Sequence, residues 1–180
     1  LLNGFENYVK EDYCSLKRGL KKDYELVDIS NEFLIPLQDI HSYHQAIYTK
    51  SLAYYFKGEI TSNPDMISEL MSEMIEESRY ISNEYYLHAL REQPKLKKYI
   101  EQLFEHCDFI LVPSTASIAP KIGNMEAKDT CLIWSYLGLP ALSIPLFNFE
   151  GMPYGLQIIG KKYSDFALID FAINFENQFL

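Results

Sequence analysis

The sequence predicts an α/β protein whose first two-thirds are rich in helix. Three observations carry this. Apolar residues recur at helical spacing up to Cys107. The run Phe109-Ile110-Leu111-Val112 is short and continuously apolar, as in a strand buried on both faces. Beyond it, Gly and Pro separate short helical and strand-like segments in alternation. The chain has 180 residues, a size for one domain with a real core. It is expected to form a single domain fragment, mainly helical over 1–107 and α/β over 108–180. With 14 Tyr and 11 Phe it carries too much apolar area for a disordered chain.

Phe5, Val9, Leu16 and Leu20 fall on one face of a first helix that ends near Gly19. Tyr24 to Ile29 alternates apolar and polar side chains and reads as a short strand. A long helix comes next, between Leu34 and Phe56, with Gly58 expected to close it. Asn63 before Pro64 is an N-cap followed by proline at the first helical position. Met66, Ile67, Leu70, Met71, Met74 and Ile75 then form a two-column apolar stripe, with Glu69, Glu73, Glu76 and Glu77 on the remaining surface. Core packing explains the methionines better than an adaptable binding surface does. The next helix starts near Ser82 and meets Pro94, which either kinks it or opens a new one. Leu96, Tyr99, Ile100, Leu103 and Cys107 line one face of the helical stretch beyond Pro94.

After the strand at 109–112, a loop rich in Pro, Ser, Thr and Ala runs from Pro113 to Gly123. A short helix is next, capped by Asp129 and stopped by Gly138, with Pro140 preventing its continuation. Strands are expected at Ala141–Leu146 and Gly155–Gly160, joined by a turn containing Gly151 and Pro153. A final helix runs from Asp165.

Composition excludes several functions. A net charge of -9 without a dense Lys/Arg stripe repels a phosphate backbone, so no nucleic-acid partner is expected. No apolar run approaches the roughly 20 residues of a membrane span. Cys14, Cys107 and Cys131 are odd in number and far apart, which fits neither a disulfide framework nor a CxxC metal site. A reducing, cytoplasmic compartment is therefore expected. His41, His44 and Asp39 sit close on one predicted helix, but a metal site needs three or four converging ligands, and no H-E-x-x-H pattern occurs. No metal and no cofactor are expected. The chain opens on Leu1 rather than Met and reads as part of a longer protein.

From Asp108 onward the chain resembles the C-terminal end of the amidase-signature family. The matching residues are Asp108-Phe109-Ile110-Leu111-Val112-Pro113, then Ala119-Pro120 and Gly123, then Gly138-Leu139-Pro140-Ala141-Leu142-Ser143-Ile144-Pro145. Gly151-Met152-Pro153-Tyr154-Gly155-Leu156-Gln157-Ile158-Ile159-Gly160 and Asp165 complete the set. Each fragment is weak alone; their shared order and spacing are specific. The resemblance covers 108–175 well and extends plausibly over the helices from about 64 to 107.

The resemblance implies a mixed sheet covered by helices and an amide-cleaving or acyl-transferring activity. In that family a serine attacks the amide, activated through a cis-peptide serine by a lysine, and a Gly/Ser-rich loop forms the oxyanion hole. All of these lie upstream of the matched region. The eight glycines here are scattered singly, with no Gly-Gly-Ser-Ser-Gly-Gly stretch, so no catalytic residue is assigned to this chain. The portion present is expected to supply scaffold and part of the acyl-substrate pocket. Thr115, Ala116 and Ile118, in the loop with Ser114 and Ser117, and Trp134 on the short helix are the candidate substrate-binding residues. Turn chemistry is the competing account of the loop, and core packing that of Trp134.

Two departures bear on substrate. Ser135 stands where many members have Asn, which places the chain nearer general amidases than the transamidosome glutaminase branch. Tyr154 replaces a commoner small aliphatic residue. The implied partners are a small-molecule amide in the complete protein and the upstream segment of the same protein. Self-association is also expected, because a cut sheet exposes an edge and an apolar face. The alternative to an enzyme is a degenerate amidase fold kept as a non-catalytic binding module.

Overall fold

A computed structural model describes residues 3–124 and 130–179. Contacts group the chain into two compact units, Leu1–Ile35 with Tyr99–Leu180, and Pro36–Lys98. The sequence predicts instead one domain with its helical part ending at 107.

The first unit is built on three strands: β1 (Phe109–Pro113), β2 (Ala141–Phe149) and β3 (Met152–Gly160). Their order is β1-β3-β2 and both pairings are antiparallel. A parallel pair, which the mixed sheet implied by the resemblance requires, does not occur among the described residues. β2 and β3 form a hairpin whose turn is Glu150-Gly151, both at positive φ (51° and 80°). That geometry matches the twist of the flanking strands and explains Gly151. Pro153 lies in β3 itself, beyond the end of β1, so no ladder bond is lost there. Pro145 coincides with the irregularity between Ile144 and Phe147 on the edge strand β2.

One face of the sheet is covered by α1 (Asn7–Leu20) and α8 (Asp165–Phe179). Leu20, Ile144, Leu156, Ile158, Leu168, Ala172 and Phe175 form its buried core. Between α1 and the short α2 (Asn31–Leu34) the expected strand at 24–29 is absent. The segment is extended, and Tyr24 and Leu26 pack on the core. The Tyr24 hydroxyl donates to Gln178 Oε1 at 3.0 Å. The alternation marked a half-buried extended segment, but no neighbouring strand pairs with it. Phe33 stacks on Tyr99 at 4.6 Å within the same unit.

The second unit is helical: α3 (Ile40–Tyr55), α4 (Lys57–Ser62), α5 (Glu69–Tyr80) and most of α6 (Asn83–Glu101). Gly58 does not close α3; that helix ends at Phe56, and Gly58 lies inside α4. Asn63 precedes only a single 3-10 turn, Pro64–Met66, and makes no side-chain cap. The cap of α5 is Ser68, whose hydroxyl accepts from the Met71 N–H at 3.3 Å. Asn-Pro had the right chemistry, but Ser68 sits where the helical face begins. Ser82 accepts from Tyr85 N–H in the same way, and α6 runs through Pro94 without a break.

Candidate functional site

The loop after β1 continues the ladder by one step: Ser114 N–H donates to the Gly155 carbonyl at 2.8 Å. The chain then turns against the start of α1. Glu6 N–H donates to the Ala116 carbonyl at 2.9 Å, and Ile118 N–H donates to the Tyr8 hydroxyl at 2.7 Å. Tyr8 is itself held by a parallel stack on Phe149, with centroids 3.8 Å apart, and meets Tyr154 edge-on. Phe5, Val9, Ala116 and Tyr154 form a second buried cluster, with Ile118 packed against it. The Tyr154 hydroxyl donates to the Asp12 carboxylate; burial first, and then this bond, hold the phenol well above its ordinary pKa. The tyrosine noted as a departure therefore backs the loop.

On the sheet face opposite α1 and α8, a second set of groups converges. Ser143 lies directly across from Gln157 on neighbouring strands, and Ser114 bonds the backbone at Gly155. Gly155 is obligatory by space. A Cβ there would lie 2.4 Å from Ser143 Oγ and 2.5 Å from Ser114 Oγ, so the two hydroxyls are no more than 4.9 Å apart (2.4 plus 2.5). Helix α7 (Cys131–Leu137) lies over this region. The Cys131 thiol donates to the Ser114 carbonyl at 3.1 Å, and Gln157 Nε2 donates to Cys131 Sγ at 3.4 Å.

Three buried polar atoms around this knot have no hydrogen-bond partner: Thr130 Oγ1, Trp134 Nε1 and Gln157 Oε1. Each such orphan costs roughly 1–3 kcal/mol relative to a satisfied group. Thr130 and Trp134 are four residues apart and share one face of the helix start. The arrangement can hold a polar group. Its own side chains are hydroxyls, a thiol, an indole and a carboxamide, with no lysine, histidine or carboxylate placed to act as a base. It does not form a nucleophile–base pair.

The four sequence-derived candidates are thus distributed unequally. Thr115 is exposed at the loop tip, Ala116 and Trp134 are buried at 1% exposure each, and Ile118 is half-buried against Tyr8. Ala116 and Ile118 come together with Tyr154; Trp134 belongs with Thr130 on α7. Asp129, the expected helix cap, lies outside the described residues, and Thr130 occupies the N-cap position without a side-chain cap bond. Gly138 ends α7 at φ 67°, as its place in the sequence required. Sequence reasoning did not single out Tyr8, Cys131, Ser143 or Gln157. Gln157 had a visible signal, a lone polar residue inside Leu156-Gln157-Ile158.

Elsewhere, a broad open depression of about 680 Å³ runs along α1 between Lys10 and Lys21; it is a solvated helix face rather than an enclosed site. Among the described residues no cluster of three potential metal ligands occurs, and no helix is long and apolar enough to cross a membrane.

Comparison with known proteins identifies the fold and family. The family described as Amidase matches residues 35–169. The A subunit of the glutamyl-tRNA(Gln) amidotransferase of Caldanaerobacter subterraneus is 35% identical over 103 residues, covering 53% of this chain and 21% of that protein. Its counterpart from a Nitratiruptor species is 26% identical over 206 residues, covering 95% of this chain and 47% of that protein. A crystal structure of an amidase superposes with a TM-score of 0.89 at 21% identity, covering 99% of this chain and 44% of its own. A bacterial aryl acylamidase of the amidase-signature family gives 0.66 at 19% identity, over 92% and 39%. The chain therefore spans less than half the length of the relatives it matches. The sequence relatives carry the amidotransferase name and the solved structures carry the amidase name, so the nearness to general amidases read from Ser135 does not extend to the sequence comparison. By the extent of the family match and the agreement in fold, the chain belongs to the amidase family.

Proposed function

We propose that the chain is the C-terminal portion of an enzyme that cleaves or transfers an amide, with its Ser-cisSer-Lys triad in an upstream segment. In this reading the chain supplies the sheet, its covering helices and one wall of the acyl pocket. Thr115, Ala116, Ile118 and Trp134 contribute to that wall, and a small-molecule amide is the substrate. One observation carries the proposal: a polar knot of Ser114, Cys131, Ser143 and Gln157 holds unpartnered buried groups and contains no base. Such a surface binds and orients. Bond cleavage there needs a nucleophile from outside it.

The test begins with the upstream reading frame. A Gly/Ser-rich loop with a lysine well before it is expected; its absence overturns the enzyme reading. The chain as it stands should leave simple aliphatic and aryl amides intact. The complete protein should hydrolyse one of them and lose that activity on substitution of the upstream serine by alanine. Ala116→Leu should then raise KM more than it lowers kcat, because it crowds the pocket wall and leaves the nucleophile untouched.

The lack of a Gly/Ser-rich stretch in this sequence favours a second reading, a non-catalytic binding module of the same fold. Hydrolysis by the complete protein that depends on the upstream serine rules it out.

A further inference from the structure

Helix α8 buries Leu168, Ala172 and Phe175 against the sheet and leaves a second apolar stripe in solvent. Phe166, Ile169 and Ile173 are 91%, 46% and 54% exposed, at the i, i+3, i+7 spacing of a single helix face. Tyr163 heads the stripe, 84% exposed and held at φ 66°, a left-handed conformation that bulky residues rarely adopt. Lys162 lies over its ring at 4.8 Å.

The pattern is self-complementary when read in opposite directions. Around Ile169, Phe166 of one copy falls opposite Ile173 of an antiparallel second copy. The same rotation brings Lys161 and Lys162, at the start of the helix, to Glu176 near its end. No lysine or arginine occurs within Asp165–Phe179, so a parallel pairing would set like charges side by side. Antiparallel packing also opposes the two helix dipoles. Asp170 lies on the flank of the stripe, where it stays in water.

We propose that this stripe is a two-fold, antiparallel interface with a second copy of the chain. The interface is independent of the amidase reading and differs from pairing at the free edges of β1 or β2. An aromatic buries about 150–250 Å², so the four side chains at these exposures offer roughly 500 Å² per copy. About 1,000 Å² in total is at the low end for a specific interface, which sets the expected Kd on the order of 10 μM.

Sedimentation equilibrium on the full chain, in buffer of about 0.15 M salt to screen its net charge, tests the proposal. A reversible dimer is expected. Phe166→Asp or Ile173→Asp should each weaken it roughly tenfold or more, with the circular dichroism spectrum unchanged because both residues are exposed. Lys162→Glu and Glu176→Lys should each weaken it, and the two together should restore it. On a Cys14→Ser background, Ile169→Cys should form a disulfide between copies. A monomer at the highest concentration overturns the proposal. So does a dimer indifferent to Phe166→Asp and Ile173→Asp, which would point to a strand edge instead.

Discussion

Replacing Gly155 by alanine probes the most crowded point of the sheet. The backbone there lies outside the left-handed region, so an alanine meets no torsional objection and space alone decides. The new methyl carbon would sit 2.4 Å from Ser143 Oγ, 2.5 Å from Ser114 Oγ and 2.9 Å from the Ile144 carbonyl. The hydroxyl of exposed Ser143 can rotate away. Ser114 is buried and Ile144 presents backbone, so the strands themselves must separate by a few tenths of an ångström. Overpacking of this kind costs about 1–3 kcal/mol. Loss of glycine freedom in the unfolded chain returns roughly 0.4–1 kcal/mol. The net expectation is a destabilisation of about 1–2 kcal/mol. In urea unfolding, with m near 2 kcal/mol/M, the midpoint should fall by roughly 0.5–1 M at constant m. Adding Ser143→Ala removes one colliding oxygen and should recover part of the loss, since the two sites are coupled. A Gly155→Ala midpoint equal to or above that of the parent chain would refute the packing argument.

Gly58 should respond with the opposite sign: nothing lies within 4 Å of the position a methyl would take there, and it sits inside α4, so Gly58→Ala should stabilise by about 0.5–1 kcal/mol in the same urea assay. Tyr8→Phe keeps the stack on Phe149 but removes the acceptor for Ile118 N–H. It should cost roughly 1 kcal/mol and speed hydrogen exchange at that amide, and an unchanged rate would mean that the loop is not held through Tyr8. Tyr13 is raised to about 12, first by burial and then by Asp28 and Cys14. Because the unfolded phenol ionises from about pH 10, its contribution is intact below that pH and is lost as pH rises to about 12, a total of roughly 2–3 kcal/mol. Tyr13→Phe should flatten this alkaline limb in a stability–pH series, although it also removes the bond to the Leu111 carbonyl.

Sequence reasoning located most helices because their boundaries are local. Gly138 must leave the right-handed region, Pro140 cannot continue a helix, and Asp165 begins the last amphipathic run. It misread Tyr24–Ile29, where alternation reports which side is buried but not whether another strand is near. It also misjudged Gly58 and Asn63, since a glycine or an Asn-Pro pair permits a boundary without demanding one. Three of the four candidate site residues lay in one loop and were reached through family resemblance. Their supports, Tyr8, Cys131 and Gln157, come from an amino-terminal helix, a short central helix and a middle strand far apart in the chain.

By itself, the sequence determined the α/β class, the alternation of helix and strand after Cys107, and membership of the amidase family. These rest on periodicity, turn residues and ordered motifs, all of which are written along the chain. Only the tertiary structure decided that Trp134 and Ala116 are buried while Thr115 is exposed, that Tyr154 braces the loop through Asp12, and that Ser114 and Ser143 flank Gly155. Those facts depend on which strands become neighbours, in the order β1-β3-β2, and on which groups then remain unpaired between them. Spatial adjacency of distant segments is set by the packing of the whole fold, so no local pattern records it.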